Sequence, residues 1–164
     1  MPKLEIGMSN KKGFTLIEIM VVLLIIGITI GFALLAFGDF GAKRRAILAS
    51  EQFVNFVKLV QQQAIMETST LGIYVDDNSY QALRFDGSSR WQHFPAHSVF
   101  RKHAFPAQVT LQFKPKAALT KDPQIIINES GDMSAFTLAV LIQDDEVAVI
   151  EGHHNGSLDT KSSS

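Results

Sequence analysis

The stretch KKGFTLIE (residues 11–18) decides how the whole sequence is interpreted, because a long run of almost uncharged residues follows it. Over residues 14–37 only Thr15, Glu18 and Thr29 interrupt an otherwise apolar segment. A helix of those 24 residues is about 36 Å long, enough to cross a hydrocarbon core of about 30 Å. The sequence therefore predicts a membrane-spanning helix that carries one carboxylate near its start.

That carboxylate, Glu18, calls for an explanation, because a charge inside a bilayer costs about 2.5–3.5 kcal/mol on insertion scales. A secretory signal peptide fits poorly, since the apolar run is too long and the residues after it offer no small-residue cleavage site. A plain membrane anchor fits the length, with Glu18 snorkelling to the interface. The third interpretation is a cut before the apolar run, between Gly13 and Phe14, so that the helix is retained.

Composition excludes several classes of function. Fifteen basic and 16 acidic side chains give no electrostatic case for nucleic acid as the main partner. The absence of cysteine excludes a disulfide framework, a thiolate metal site and a cysteine nucleophile. Lys11 and Lys12 before the run agree with a cytoplasmic N-terminus, although Lys43, Arg44 and Arg45 follow the run on the other side.

The motif KKGFTLIE with its apolar run closely resembles the N-terminal motif of type IV pilins and of the pseudopilins of type II secretion systems. The resemblance implies that prepilin peptidase cleaves after Gly13 and that Phe14 becomes an N-methylated terminus. It also places Glu18 at the fifth mature position. When such helices pack side by side in a filament, Glu18 of one subunit can meet the Phe14 amine of its neighbour. A paired buried charge is tolerated and fixes the axial register, whereas an unpaired one is strongly unfavourable.

Beyond the apolar run the pattern becomes that of an amphipathic helix, over about residues 42–67. Apolar residues recur there at steps of three and four, which predicts that one face packs on a domain. They are Ala46, Ala49, Phe53, Phe56, Val57, Val60 and Ala64. Together with the membrane run, this segment predicts one helix of some fifty residues.

After Thr68 short alternating or β-branched segments, separated by turn signals, predict six to eight strands. The predicted strands lie at residues 71–75, 80–85, 109–113, 124–127, 136–142 and 147–150. The predicted fold class is α+β and pilin-like, with a long N-terminal helix packed on an antiparallel, two-sheet head. The predicted segments are a cleaved leader (1–13), a membrane and filament-core helix (14–38), an amphipathic helix half (39–68), a periplasmic head (69–152) and a polar, partly mobile tail (153–164).

Within this group the chain resembles the H-type minor pseudopilins of type II secretion (the GspH/FimT family), through its hydrophobic run and through IIINESGD (residues 125–132) followed by FTL. The resemblance implies a structural subunit near the tip of a periplasmic pseudopilus, which drives export of folded proteins. The implied partners are prepilin peptidase, the major pseudopilin, the other minor pseudopilins and the inner membrane before assembly. The alternative is a FimT-like minor type IV pilin of DNA uptake or adhesion.

Few other residues indicate a helix-packing, metal-binding or catalytic site. Gly27 and Gly31 form a small-xxx-small pair that favours close helix packing, although such spacing also arises by chance. The acidic sequence at residues 144–146 resembles a calcium loop but is better explained as a hairpin turn, because calcium needs six to eight oxygen ligands. The five histidines show no metal-binding spacing, and no serine lies in a nucleophile elbow. We therefore expect no enzyme, metal, cofactor, small-molecule substrate or nucleic acid.

Overall fold

The structure is a computed structural model that describes residues 14–115 and 122–162, with only the backbone described at residues 35–40. The chain divides into two compact units, Met1–Asp39 and Phe40–Ser164. The described part of the first unit is the apolar start of the only helix assigned in the described residues, α1 (Leu16–Glu67). At 52 residues, α1 has the length that the sequence predicts.

The second unit contains the rest of α1 and nine strands in two antiparallel sheets, which confirms the predicted fold class. One sheet has the order β3-β2-β1-β6, with β4 also paired to β2, and the other has the order β5-β7-β8-β9. The strands are β1 (Leu71–Asp76), β2 (Ser79–Phe85), β3 (Trp91–His93), β4 (His103–Ala104), β5 (Val109–Phe113), β6 (Ile125–Ile127), β7 (Phe136–Ile142), β8 (Asp145–Gly152) and β9 (Leu158–Ser162).

The helix and both sheets share one hydrophobic core. All seven apolar helix positions named in the sequence analysis are buried, so the predicted core face is confirmed. Phe53 and Phe56 both meet Tyr80 of β2 edge to face, with ring centroids 5.1 and 4.8 Å apart. Such aromatic pairs add about 0.5–1.5 kcal/mol to the stabilisation from burial, which makes this cluster a main attachment of the helix to the first sheet.

The two sheets are tied together at their edges by backbone hydrogen bonds. The N–H of Leu111 in β5 donates to the carbonyl of Asp77, in the turn between β1 and β2, at 2.9 Å. On the far side of the first sheet, Ser134 covers the outer edge of β6, because its hydroxyl accepts from the N–H of Ile126 at 2.9 Å. Polar groups that an open edge would leave exposed are thereby satisfied within the chain.

Gln61 joins the helix to two loops at once. Its side-chain amide donates to the carbonyl of Gly131, between β6 and β7, and to the carbonyl of Gly156, between β8 and β9, each at 3.0 Å. Both glycines have positive φ, 88° and 81°. A Cβ on Gly156 would lie 2.6 Å from Nε2 of Gln61, so glycine lets the loop approach the helix. Nothing in the local sequence pattern around Gln61 indicates this contact.

The acidic segment at residues 144–146 is a hairpin connection, as predicted. β7 ends at Ile142 and β8 begins at Asp145, which pairs with Ile142. The two residues between them, Gln143 and Asp144, have φ values of 49° and 73°. Two positive φ values in a two-residue loop are the geometry that matches the twist of an antiparallel hairpin.

The tail at residues 153–164, predicted to be polar and partly mobile, contains a strand that was not predicted, since β9 (Leu158–Ser162) pairs with β8 along its whole length. Pairing of the backbone needs no large apolar side chain, and the tail was judged mobile for lack of them. The available signal was Asn155-Gly156, a strong hairpin-turn sequence. The side-chain oxygen of Asn155 accepts from the N–H and the hydroxyl of Ser157 and fixes that turn.

Replacing Gln61 by alanine should lower the free energy of unfolding of the head by about 1–3 kcal/mol, since two carbonyls lose their donor. Unfolding of the full-length protein in detergent, followed by the fluorescence of the single tryptophan, Trp91, measures the change. The neighbouring Gln62 is exposed, so Gln62→Ala should change stability by less than about 0.5 kcal/mol. Equal stabilities for the two variants would contradict the role given to Gln61.

Candidate functional site

The start of α1 is fixed by Thr15, which immediately precedes the helix. Its carbonyl accepts from the N–H of Glu18 at 3.1 Å, and its hydroxyl accepts from the same N–H at 3.4 Å. The spacing from Thr15 to Glu18 is that of a capping box, in which the first and fourth residues satisfy free donors of the first turn. The Thr-x-x-Glu spacing that gives Thr15 this role is visible in the sequence.

The side chain of Glu18 is exposed in the first turn of α1. Its carboxylate forms no ion pair or side-chain hydrogen bond with any residue that the structure describes. A carboxylate is favoured at a helix N-terminus, because the free N–H groups there carry partial positive charge. Phe14 is also exposed, and it lies outside the helix. Both predicted assembly residues are thus available to a partner, whereas Gly13 lies outside the described residues.

The segment Leu16–Leu34 is long and apolar enough to cross a membrane. Its large apolar side chains, from Leu16 to Leu34, expose between 46% and 78% of their surface, so the described part of the chain does not cover them. The hydroxyl of Thr29 donates to the carbonyl of Ile26 at 2.9 Å, which satisfies this polar group within the helix. Glu18 remains the one ionisable side chain of the segment.

Gly27 and Gly31 lie one turn apart on this exposed helix. A Cβ built on either glycine meets no atom within 4 Å, so neither is needed to avoid a clash inside the described chain. Any requirement for a small residue there has to come from a partner helix. The predicted packing role of the pair therefore stays a prediction.

Four basic side chains of the head that bear on the DNA-uptake alternative are held in ion pairs with acidic side chains. The pairs are Arg84–Glu67 at 2.6 Å, Arg90–Asp86 at 3.3 Å, Lys161–Glu151 at 2.8 Å, and Lys114–Glu146. Arg101 and Lys102 have no acidic partner among the described residues. Lys116 lies outside the described residues. Four of the described basic groups are therefore already neutralised by acids, which lowers the positive charge that the head can offer to phosphate.

The acids of two of these pairs have lowered pKa values. Partial burial opposes ionisation of Glu67, but hydrogen bonds from Gln63, Arg84 and Ser69 and the charge of Arg84 outweigh it and lower the Glu67 pKa. Hydrogen bonds from Ser88, and smaller ones from Arg90 and Gln92, lower the pKa of Asp86 to about 2. Both carboxylates are therefore ionised at neutral pH and remain counter-charges for their arginines.

The histidines occupy separate sites. His103 stacks on Tyr80 with ring centroids 5.4 Å apart, and its Nε2 lies 2.8 Å from the carbonyl of Val99. His153 lies 2.9 Å from Asp159, and Nδ1 of His154 lies 3.2 Å from the carbonyl of Met133. Within the described ranges, no group of three or more potential metal-ligating side chains converges.

Residues 8–34 match the family described as the prokaryotic N-terminal methylation motif. The chain is 29% identical to the type II secretion system protein H of Pseudomonas aeruginosa strain PAO1, over 80% of this chain and 83% of that protein. It is 23% identical to the protein H of Escherichia coli K12, over 80% of this chain and 81% of that protein.

The fold is similar to that of solved pilin-like structures. The crystal structure of the minor pseudopilin EpsH from the type II secretion system of Vibrio cholerae superimposes with a TM-score of 0.63 at 18% identity, covering 74% of this chain and 96% of that chain. The type IV minor pilin FimU of Pseudomonas aeruginosa gives a TM-score of 0.53 at 14% identity, covering 74% of this chain and 92% of that chain. At these identities the likeness establishes the fold.

Because four basic residues of the head are held in ion pairs, we expect the full-length protein in detergent not to retard short double-stranded DNA at physiological salt. An electrophoretic mobility shift assay measures this. The matched variant R101Q/K102Q removes two adjacent basic residues between β3 and β4 that lack a described acidic partner, and it should behave like the native protein. Salt-sensitive retardation that disappears in R101Q/K102Q would instead support the DNA-uptake alternative.

Proposed function

We propose that this protein, which its N-terminal motif, its relatives and its fold identify as an H-type minor pseudopilin of the type II secretion system, is a processed structural subunit of a periplasmic pseudopilus. The observation that carries the proposal is the start of α1. It combines an exposed apolar segment of membrane length with one carboxylate, Glu18, that no described residue neutralises.

Processing takes place between Gly13 and Phe14 in this proposal, and residues 1–13 are removed. On the mature side of the cleavage position, Phe14 and Thr15 precede the first helical residue, Leu16. The matched methylation motif covers the proposed cleavage position. Cleavage turns Phe14 into a new N-terminus, and methylation of its amine leaves the positive charge in place.

The new amine of Phe14 is a positive counter-charge for the carboxylate of Glu18, which no described residue neutralises. In the membrane-inserted subunit the exposed carboxylate stays near the interface, next to the helix N-terminus that favours it. In a filament, neighbouring helices cover the apolar segment, and removal of one partner of a buried charge pair costs about 3–5 kcal/mol. Pairing between Glu18 of one subunit and the Phe14 amine of the next therefore selects one axial register.

Two further features fit assembly through the helix. Gly27 and Gly31 leave a shallow face on which the backbone of a partner helix can approach closely. Lys11 and Lys12 keep the N-terminus on the cytoplasmic side, so the head lies in the periplasm. We place the subunit near the filament tip, between the major pseudopilin and the other minor pseudopilins. A minor type IV pilin of DNA uptake or adhesion is the second candidate, favoured by the fold shared with FimU.

The mature protein purified from membranes of its native host should begin with N-methylated phenylalanine at Phe14. Mass spectrometry of the intact protein and of its N-terminal peptide measures this, and a strain without the prepilin peptidase provides the control. That strain should retain residues 1–13. A mature chain that starts at Met1, or after the apolar segment, would remove the proposed pairing partner of Glu18.

Replacing Glu18 by alanine should leave the amount of protein in the inner membrane unchanged but reduce its co-purification with the other pseudopilins at least tenfold. The physical reason is the unpaired amine that remains buried in the filament. Glu51→Ala is the matched control, because Glu51 is an exposed acid of the same helix, and it should assemble normally. Normal secretion by a Glu18→Ala strain would contradict the proposed pairing.

A further inference from the structure

Three consecutive basic residues of α1, Lys43, Arg44 and Arg45, have no role in the assembly just described. All three are exposed, and no acidic side chain that the structure describes pairs with them. Asp39 precedes Lys43 by one turn in the sequence, so the net charge of this segment is positive even when that acid is counted. Among the other described basic residues of the head, four are held in ion pairs and three, Lys58, Arg101 and Lys102, are not. What distinguishes this cluster is that its three unpaired charges are consecutive in the sequence.

The side chain of Arg45 lies back along its own helix. Its Nη1 atom is 3.3 Å from the position that a Cβ on Gly41 would take, so the guanidinium group lies over the backbone one turn earlier. Helical side chains lean toward the helix N-terminus, which for Arg45 is the direction of the apolar segment. The missing side chain at Gly41 leaves the room for this orientation.

The position of the cluster suits the surface of a membrane. Only nine residues of sequence separate Lys43 from Leu34, the last residue of the apolar segment, and nine residues of an ideal helix advance about 13 Å. The headgroup layer outside the hydrocarbon core is about 5–8 Å thick. Arginine and lysine side chains several ångströms long that lean toward the apolar segment can span the remaining gap.

We propose that Lys43, Arg44 and Arg45 bind the phosphate groups of anionic phospholipids in the leaflet on the side of the head. This contact rests on the proposed membrane insertion of α1, and it holds the stored subunit at a fixed depth until it enters a filament. A basic residue close to an anionic membrane surface strengthens the attraction about fivefold. The lipid contact also explains why three basic residues are tolerated on the side that positive-inside statistics disfavour.

The test uses the full-length protein in vesicles, with a fluorescent label at the single thiol of Ala42→Cys, which is unique because the chain has no cysteine. Quenching by neutral acrylamide reports exposure of the label to water. We expect quenching to fall at least twofold when phosphatidylcholine vesicles contain one part in three of phosphatidylglycerol. About 0.5 M sodium chloride, which shortens the Debye length to about 4 Å, should partly restore the quenching.

Two variants that each remove three exposed positive charges decide the result. K43Q/R44Q/R45Q should lose the dependence on anionic lipid, whereas K58Q/R101Q/K102Q should keep it. Absence of any lipid dependence in the native sequence, or an equal loss in both variants, would overturn the proposal. Loss of co-purification with other pseudopilins in K43Q/R44Q/R45Q, without lipid dependence in the native sequence, would assign the cluster to a protein partner instead.

Alkaline extraction of the same vesicles separates this proposal from the proposed function. A protein that resists extraction has inserted α1, so a missing lipid effect then contradicts the lipid contact alone. A protein that is extracted has not inserted, which contradicts the membrane-stored subunit on which both proposals depend.

Discussion

The carboxylate of Glu18 needs a positively charged partner from outside the described chain, and this requirement constrains the whole apolar segment Leu16–Leu34. Thr15 caps the first turn, and the hydroxyl of Thr29 is satisfied by its own helix, so Glu18 is the group that the segment leaves unneutralised. The large apolar side chains beside it are also uncovered. A single subunit can keep these apolar side chains uncovered only when lipid surrounds them. A set of subunits can bury it, provided that a positive charge meets each carboxylate.

The head solves a different problem, since it has to be stable in water without a disulfide. Its stability comes from one hydrophobic core shared by α1 and both sheets, and from side-chain hydrogen bonds to the backbone of loops and of an edge strand. Gln61 serves two loops with one amide, and Ser134 satisfies an edge strand through its hydroxyl. The two hydrogen bonds of Gln61 join segments that are distant in sequence, whereas that of Ser134 closes a local loop. These hydrogen bonds hold the loops that connect β6 to β7 and β8 to β9, in addition to the ladder hydrogen bonds within the sheets.

Sequence periodicity was sufficient for the helix and for the six strands with clear apolar patterns. Ala46, Phe53 and Val60 were assigned to the core correctly because a helix face repeats at a fixed spacing. The short strands β3 and β4 were missed, because two or three residues cannot show a period. β9 was missed because backbone pairing with β8 leaves little apolar signal. The bonds of Gln61 depend on tertiary contacts between distant residues, which local patterns do not encode.

The pairing of β9 with β8 has a consequence for how the domain is delimited. A boundary drawn at Gly152, where the apolar pattern stops, would strip the outer edge of β8 and take away Gly156, one of the two acceptors of Gln61. The exposed edge of β8 would then offer a template for intermolecular strand addition. The C-terminal strand β9 thus replaces the apolar edge of β8 with a short, mostly polar edge, which is a poorer template for joining another sheet.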